Sequence, residues 1–101
     1  MEKVVVKQSE KSAVVVILTP VTDETADALR ETLDNIINKI ILDITLDMEG
    51  INIIRTPVMG VIVFTHRKLQ KLGGRLSLIH MTPALMELFK AFGLDRVLSI
   101  S

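Results

Sequence analysis

Thr56 is the residue of this sequence whose type and position most clearly permit chemistry. It follows the segment Gly50–Arg55 and stands directly before Pro57. Threonine is favoured at the N-cap of a helix and proline at the first helical position, so this spacing predicts a helix capped by Thr56. A hydroxyl group at the positive end of a helix can accept phosphate or lie beside a bound anion.

The residues leave two interpretations of Thr56 open. As a plain N-cap, its oxygen accepts a backbone N–H hydrogen bond and contributes about 1 kcal/mol. As a phosphoacceptor, it presents the phosphate to the helix end and to Arg55. Pro57 removes one of the N–H groups that would otherwise hold that phosphate.

Other polar residues give weaker signals. Asp43 and Asp47 share one face of a predicted strand. They are too isolated for an acid–base pair, and without a nearby histidine they make a poor metal site. His66 and His80 are single histidines, best interpreted as surface or capped side chains. We therefore expect no metal and no cofactor.

Composition excludes several classes of function. The chain has 101 residues, with 12 basic and 12 acidic side chains, no cysteine, three phenylalanines and no tyrosine or tryptophan. A balanced charge and few aromatic rings argue against nucleic-acid binding, and the lack of cysteine excludes disulfides and thiolate catalysis. The longest apolar runs, Ala13–Leu18 and Val58–Phe64, fall short of the roughly 20 residues that cross a bilayer. With no targeting signal visible, we expect a cytoplasmic protein.

The hydrophobic pattern predicts one α/β domain with a mixed sheet of four or five strands and helices packed against it. Strands are predicted from runs of β-branched residues and helices from apolar residues at helical spacing. The predicted order is two strands forming a hairpin, then helix, strand, helix, strand and helix, with parallel neighbours joined by right-handed crossovers. The elements after the hairpin are a helix capped by Thr22 or Asp23, a strand over Ile40–Met48, a helix over 57–72, a strand over Arg75–His80 and a helix opened by Thr82-Pro83. Residues 97–100 add either a final short strand or a docked tail.

The second predicted helix has more apolar residues than one buried stripe requires. One stripe contains Val58, Val61 and Ile62, and an adjoining one contains Met59 and Val63. A helix on a sheet needs a single apolar stripe. The surplus is therefore either wedged into the core or exposed as a partner surface beside Thr56.

Several motifs of the chain resemble those of STAS domains, the family of anti-sigma factor antagonists and sulfate-transporter tails. Residues 46–60 match the frame of that family's switch loop, and residues 68–78 resemble its helix, double glycine and strand. Met81-Thr82-Pro83 resembles its Leu-Ser-Pro, and Phe92–Leu98 resembles its closing segment. The resemblance covers nearly the whole chain and implies a STAS-like fold.

The switch loop departs from the family pattern at several positions. Arg55 stands in the place of an aspartate, Thr56 in that of the phosphorylated serine, and Pro57 in that of a second serine. Val58 replaces a glycine, whereas Gly60 is kept. Threonine can accept phosphate, so the chemistry of the loop survives in principle.

The resemblance implies a regulatory binding module. The expected partner is an anti-sigma factor with a serine-kinase-type fold, and phosphate on the loop would block docking. The alternative is a constitutive, unphosphorylated subunit of a larger assembly or a homodimer. No enzymatic activity is expected, since no nucleophile–base pair or phosphate-cradling glycine loop is visible. The partner-binding candidates are Asp23, Arg55, Thr56, Pro57, Met59, Gly60 and Val63.

Overall fold

One mixed sheet of five strands forms the centre of the computed structural model, which describes residues 2–100. The strands lie side by side in chain order; the first pair is antiparallel and the remaining pairs are parallel. This arrangement confirms the predicted hairpin and the predicted mixed sheet. The strands are β1 (Val4–Gln8), β2 (Ser12–Ile17), β3 (Asp43–Asp47), β4 (Arg75–Ile79) and β5 (Ser99–Ile100).

Three α-helices connect the parallel strands, as the sequence predicted. A one-turn 3-10 helix over Leu94–Arg96, which the sequence did not predict, leads into β5. The helices form where apolar residues recur at helical spacing, and those residues are the ones that become buried. The α-helices are α1 (Asp23–Asn38), α2 (Thr56–Lys71) and α3 (Pro83–Ala91).

The core lies on one face of the sheet. Along β2, β3 and β4, alternate side chains are buried, while those between them are half-buried or exposed. This alternation is expected of a sheet whose helices cover one face. The buried face consists of Ala13, Val15, Ile17, Ile44, Leu46, Leu76 and Leu78.

Helix α2 buries most of its apolar surplus in the core. Val58 and Ile62 are fully buried, and Met59, on the adjoining stripe, is only 8% exposed. Val63 is half-buried, and Phe64 is 62% exposed. The core interpretation of the surplus therefore holds for Met59, and α2 presents Val63 and Phe64 outward.

Strand β3 begins three positions later than the predicted start at Ile40, because the turn that closes α1 continues to Ile41. The N–H of Ile40 donates to the carbonyl of Ile37 at 2.8 Å, and that of Ile41 donates to Ile36 at 3.4 Å. These bonds close the helix and place Ile40 in the left-handed region, with φ of 61°. A β-branched residue is rarely found there, because its Cβ crowds the backbone.

The two glycines after α2 are each required, for different structural reasons. Gly73 adopts a φ of 79°, which glycine tolerates best. Gly74 approaches the start of β3 so closely that an added Cβ would lie 2.4 Å from the carbonyl oxygen of Leu42. The same approach lets the N–H of Arg75 donate to that oxygen at 2.8 Å. The pairing of β4 with β3 therefore depends on Gly74.

Replacing Ile40 by glycine should stabilise the fold. Glycine at this helix end removes the left-handed strain of isoleucine, a gain of about 1 kcal/mol. Urea unfolding measures this as a higher free energy of unfolding. The matched control is Ile53→Gly, which replaces a residue of similar exposure, 73% against 75%, at a position without positive φ. That control should lower stability slightly through the entropy of the unfolded chain, and a loss of stability in Ile40→Gly would contradict the strain argument.

Candidate functional site

The segment between β3 and α2 is a loop fixed at both ends by buried side chains. It opens with a tight turn in which the N–H of Ile51 donates to the carbonyl of Met48 at 3.1 Å. Gly50 has a φ of 80° within this turn, a conformation that favours glycine. Ile51 is 2% exposed and Ile54 is 5% exposed. The loop therefore delivers the start of α2 to a defined place at the carboxyl edge of the sheet.

Thr56 is exposed at the start of α2, but it is not the N-cap that the sequence predicted. The helix begins at Thr56, and Arg55 is its N-cap, with an extended backbone and no side-chain capping bond. The carbonyl of Arg55 accepts the N–H of Met59 at 3.1 Å, the first hydrogen bond of the helix. Ile54 and Met59, the positions of a hydrophobic staple, are both buried and fix this start. The Thr56 hydroxyl therefore has no capping role.

Thr82 caps α3 in the way that Thr56 was predicted to cap α2. Its hydroxyl oxygen accepts the N–H of Leu85 at 3.1 Å and its O–H donates to the carbonyl of Ile51 at 3.0 Å. The first bond caps α3, which begins at Pro83 as expected. The second bond ties the start of α3 to the loop before α2.

Asp23 and Arg55 meet beside Thr56. An Arg55 Nη1 lies 3.8 Å from an Asp23 Oδ2, and the two side chains are 76% and 65% exposed. The contact brings the first residue of α1 next to the N-cap of α2. An ion pair this exposed contributes at most about 1 kcal/mol and is weakened by salt.

Two open grooves adjoin Thr56. One, of about 430 Å³, lies between Asp23, Arg55, Pro57 and Phe92. The other, of about 320 Å³, is lined by Gly60, Val63, Phe92 and Leu94, with Met59 contributing to both. Phe92 is 62% exposed and lines both grooves.

The structure therefore gathers the predicted site residues on one surface, with one exception. Arg55, Thr56, Pro57 and Gly60 are exposed, and Val63 is half-buried. Met59 is buried, so it supports this surface from beneath and offers little area to a partner. Phe92 was not among the predicted site residues, because it was considered only as part of the closing segment Phe92–Leu98.

The structure also corrects the view that Asp47 has no histidine nearby. The Nδ1 of His80 lies 2.8 Å from the Oδ1 of Asp47, which also accepts the N–H of Glu49 at 3.0 Å. β3 and β4 are parallel and in register, so Asp47 pairs with Ile79 and His80 follows directly. The predicted strand order contained this signal, since parallel neighbours end at the same edge.

This contact shifts both pKa values. Burial raises the pKa of Asp47, but hydrogen bonds from His80 and from the N–H of Glu49 outweigh it, and the net pKa is lowered. The hydrogen bond to Asp47 and the charge of Asp47 raise the pKa of His80. Among residues 2–100, the side chains of Asp47, Glu49 and His80 also place potential metal ligands within 4.8 Å of one another. The Asp47–His80 hydrogen bond brings two of these three groups together.

Comparison with known proteins places the fold. The model of the STAS domain family matches residues 3–101, and no curated protein matches by sequence. Within residues 2–100, no helix has the length and apolar character needed to cross a membrane.

Three solved structures illustrate the similarity. The chain is similar to TM1081 of Thermotoga maritima (TM-score 0.85, 21% identity, covering 95% of this chain and 78% of that one). It is similar to unphosphorylated SpoIIAA of Bacillus, an anti-sigma factor antagonist (0.83, 15%, 97% and 87%). It is also similar to a serine-to-glutamate variant of RsbS of Moorella thermoacetica (0.81, 20%, 99% and 86%). At these identities the likeness shows the fold, which confirms the STAS-like architecture.

The Thr-Pro sites at the starts of α2 and α3 should respond differently to loss of the threonine hydroxyl. Thr82→Ala removes a cap and leaves the Ile51 carbonyl without its donor, so it should cost about 1 to 2 kcal/mol of unfolding free energy. Thr56→Ala removes no capping bond and should change stability by less than about 0.5 kcal/mol. Urea unfolding of the two variants, measured side by side, checks this difference, and equal losses would restore Thr56 as a cap.

The Asp47–His80 pair should make stability depend on pH. The pKa of His80 is raised in the folded state. The contribution of His80 to the free energy of unfolding is therefore fully present below the ordinary pKa of 6.5, and it is lost as the pH rises through the folded-state pKa. An NMR titration of His80 should show that raised pKa. Asp47→Asn should return it towards the ordinary value, and Glu49→Gln should lower it less. A His80 pKa that is insensitive to Asp47→Asn would refute the assigned contact.

Proposed function

Because this chain belongs to the STAS domain family, we propose that it acts as an anti-sigma factor antagonist. In this proposal it is a non-enzymatic, cytoplasmic binding module whose partner is an anti-sigma factor with a serine-kinase-type fold. Binding sequesters that factor and releases a sigma factor. Phosphate on Thr56 ends the interaction.

One observation carries the proposal: the Thr56 hydroxyl is exposed at the positive end of α2 and has no capping role in the fold. A side chain that stabilises nothing can be modified without unfolding the domain. Thr56 also lines both grooves, and the Asp23–Arg55 pair lies in the lining of one of them. A partner that covers these grooves would therefore cover Thr56.

The surroundings of Thr56 explain how phosphate would act. A partner kinase would transfer the γ-phosphoryl group of a nucleoside triphosphate to the Thr56 oxygen, which loses its proton, and release the diphosphate. The new dianion would attract Arg55 more strongly than Asp23 does, and it would repel the Asp23 carboxylate. Both effects would change the charge pattern that the partner meets.

The absence of enzymatic activity is part of the proposal. The Asp47–His80 pair resembles part of a catalytic arrangement, but within residues 2–100 no serine or threonine hydroxyl is hydrogen-bonded to His80. Without a nucleophile held by the histidine, the pair lacks the geometry of nucleophilic catalysis. It lies at the ends of β3 and β4, where it supports the loop that leads to α2.

A second candidate is a constitutive subunit that is never phosphorylated. Two observations favour it: Pro57 offers no N–H to a phosphate, and Arg55 occupies a position where the family has an acid. In that case the same surface would bind a partner permanently. The two candidates differ only in whether Thr56 is modified.

Charge at Thr56 should control binding if the loop is a switch. The experiment captures partners from native lysate on the immobilised chain, identifies the anti-sigma factor by mass spectrometry, and measures its affinity for purified variants. Thr56→Glu should weaken binding at least about tenfold by charge repulsion, while its uncharged isostere Thr56→Gln should bind nearly as the parent does.

The controls separate the two candidates. Leu72→Ser changes an exposed apolar residue at the opposite end of α2 from Thr56 and should bind like the parent. Equal binding of Thr56→Glu and Thr56→Gln would favour the constitutive subunit. Capture of no anti-sigma factor would refute the proposed partner.

A further inference from the structure

A second distinctive surface lies at the opposite edge of the sheet from Thr56. The hairpin between β1 and β2, the end of α1 and the start of β4 meet there, since Ser12, Asp43 and Arg75 lie in register at the amino ends of the parallel strands. An open groove of about 530 Å³ runs across this edge. The proposed partner surface does not extend to it.

Ile40 dominates this edge. It is 75% exposed, the most exposed of the large apolar side chains in residues 2–100. The backbone of Ile40 also lies in the left-handed region, a conformation that glycine adopts without a steric clash. The fold alone thus gives no reason for isoleucine at this position, because the side chain neither fills the core nor suits its backbone. A contact outside the domain would supply that reason.

The groove beside Ile40 offers space for an apolar side chain. Gly73 and Gly74 form part of its lining, and a Cβ added to Gly73 would meet nothing within 4 Å. Half-buried Leu42 adds an apolar wall. The same edge therefore presents both a projecting isoleucine and an unfilled space over Gly73.

The charges of this edge are balanced. Its lining contains two acids, Glu10 and Asp43, and two bases, Lys11 and Arg75. The chain as a whole carries equal numbers of both signs, 12 acidic and 12 basic residues, so two copies do not repel each other at neutral pH. A two-fold axis places the same patch against itself, and a patch with balanced charges can then set acids against bases.

We propose that this edge is a homodimer interface, in which Ile40 of each copy enters the groove over Gly73 of the other. The interface is small, so the dimer is weak and forms at high local concentration. It leaves the Thr56 surface of both copies free. The dimer is therefore independent of the function proposed for that surface.

Sedimentation equilibrium of the purified chain tests the interface. From about 10 μM to about 1 mM, the average mass should rise from monomer towards dimer. Ile40→Gly, which suits the backbone better, should remain folded and weaken the dimer at least about tenfold. Lys11→Glu, which leaves three acids and one base at the edge, should also weaken it.

Two matched variants make the result decisive. Ile53→Gly removes an isoleucine of similar exposure, 73%, from the Thr56 end and should leave the dimer unchanged. Gly73→Asn fills the space with a residue that tolerates positive φ and should weaken the dimer. A monomer throughout the concentration range would overturn the proposal. So would a dimer that resists Ile40→Gly or is lost in Ile53→Gly.

Discussion

The pairing of β3 with β4 is the constraint on which the candidate site around Thr56 depends. At one end Gly74 approaches Leu42 closely enough for the N–H of Arg75 to reach the Leu42 carbonyl. At the other end the N–H of Met48 donates to the carbonyl of Ile79 at 3.0 Å. With the strands held at both ends, the loops before α2 and α3 must leave the sheet side by side. This is why the Thr82 hydroxyl can reach the loop that presents Thr56.

The Thr-Pro sites at the starts of α2 and α3 show what local sequence can predict and where such a prediction fails. Both predict a threonine N-cap before a helix, and the prediction is confirmed for Thr82 but wrong for Thr56. Helix α2 begins at Thr56, one residue earlier than predicted, so Arg55 is its N-cap. This earlier start arises from burial of Ile54 and Met59, which packs the loop and the helix against the core. Such packing is a property of the folded domain, so the dipeptide itself carries no sign of it.

Element order was predictable from hydrophobic spacing, whereas contacts between distant residues were not. The hairpin, the three helices and the parallel strands follow from runs of β-branched residues and from helical periodicity. The Asp47–His80 contact needs the register of β3 against β4, which spacing does not specify. The Asp23–Arg55 contact needs the relative position of two helix starts. Sequence thus predicted which elements the fold contains better than which side chains of different elements come into contact.

The weakness of the Asp23–Arg55 pair suits a surface that responds to charge. At 3.8 Å and with both side chains mostly exposed, the ion pair keeps Arg55 near Thr56 but is too weak to hold the guanidinium group in one place. A tightly buried pair would resist rearrangement, because separating it would leave an unpaired charge away from water. Here the guanidinium can exchange one exposed partner for another at little cost. In the proposed switch, the arginine that departs from the family pattern would attract the phosphate on Thr56, whereas an aspartate at that position would repel it.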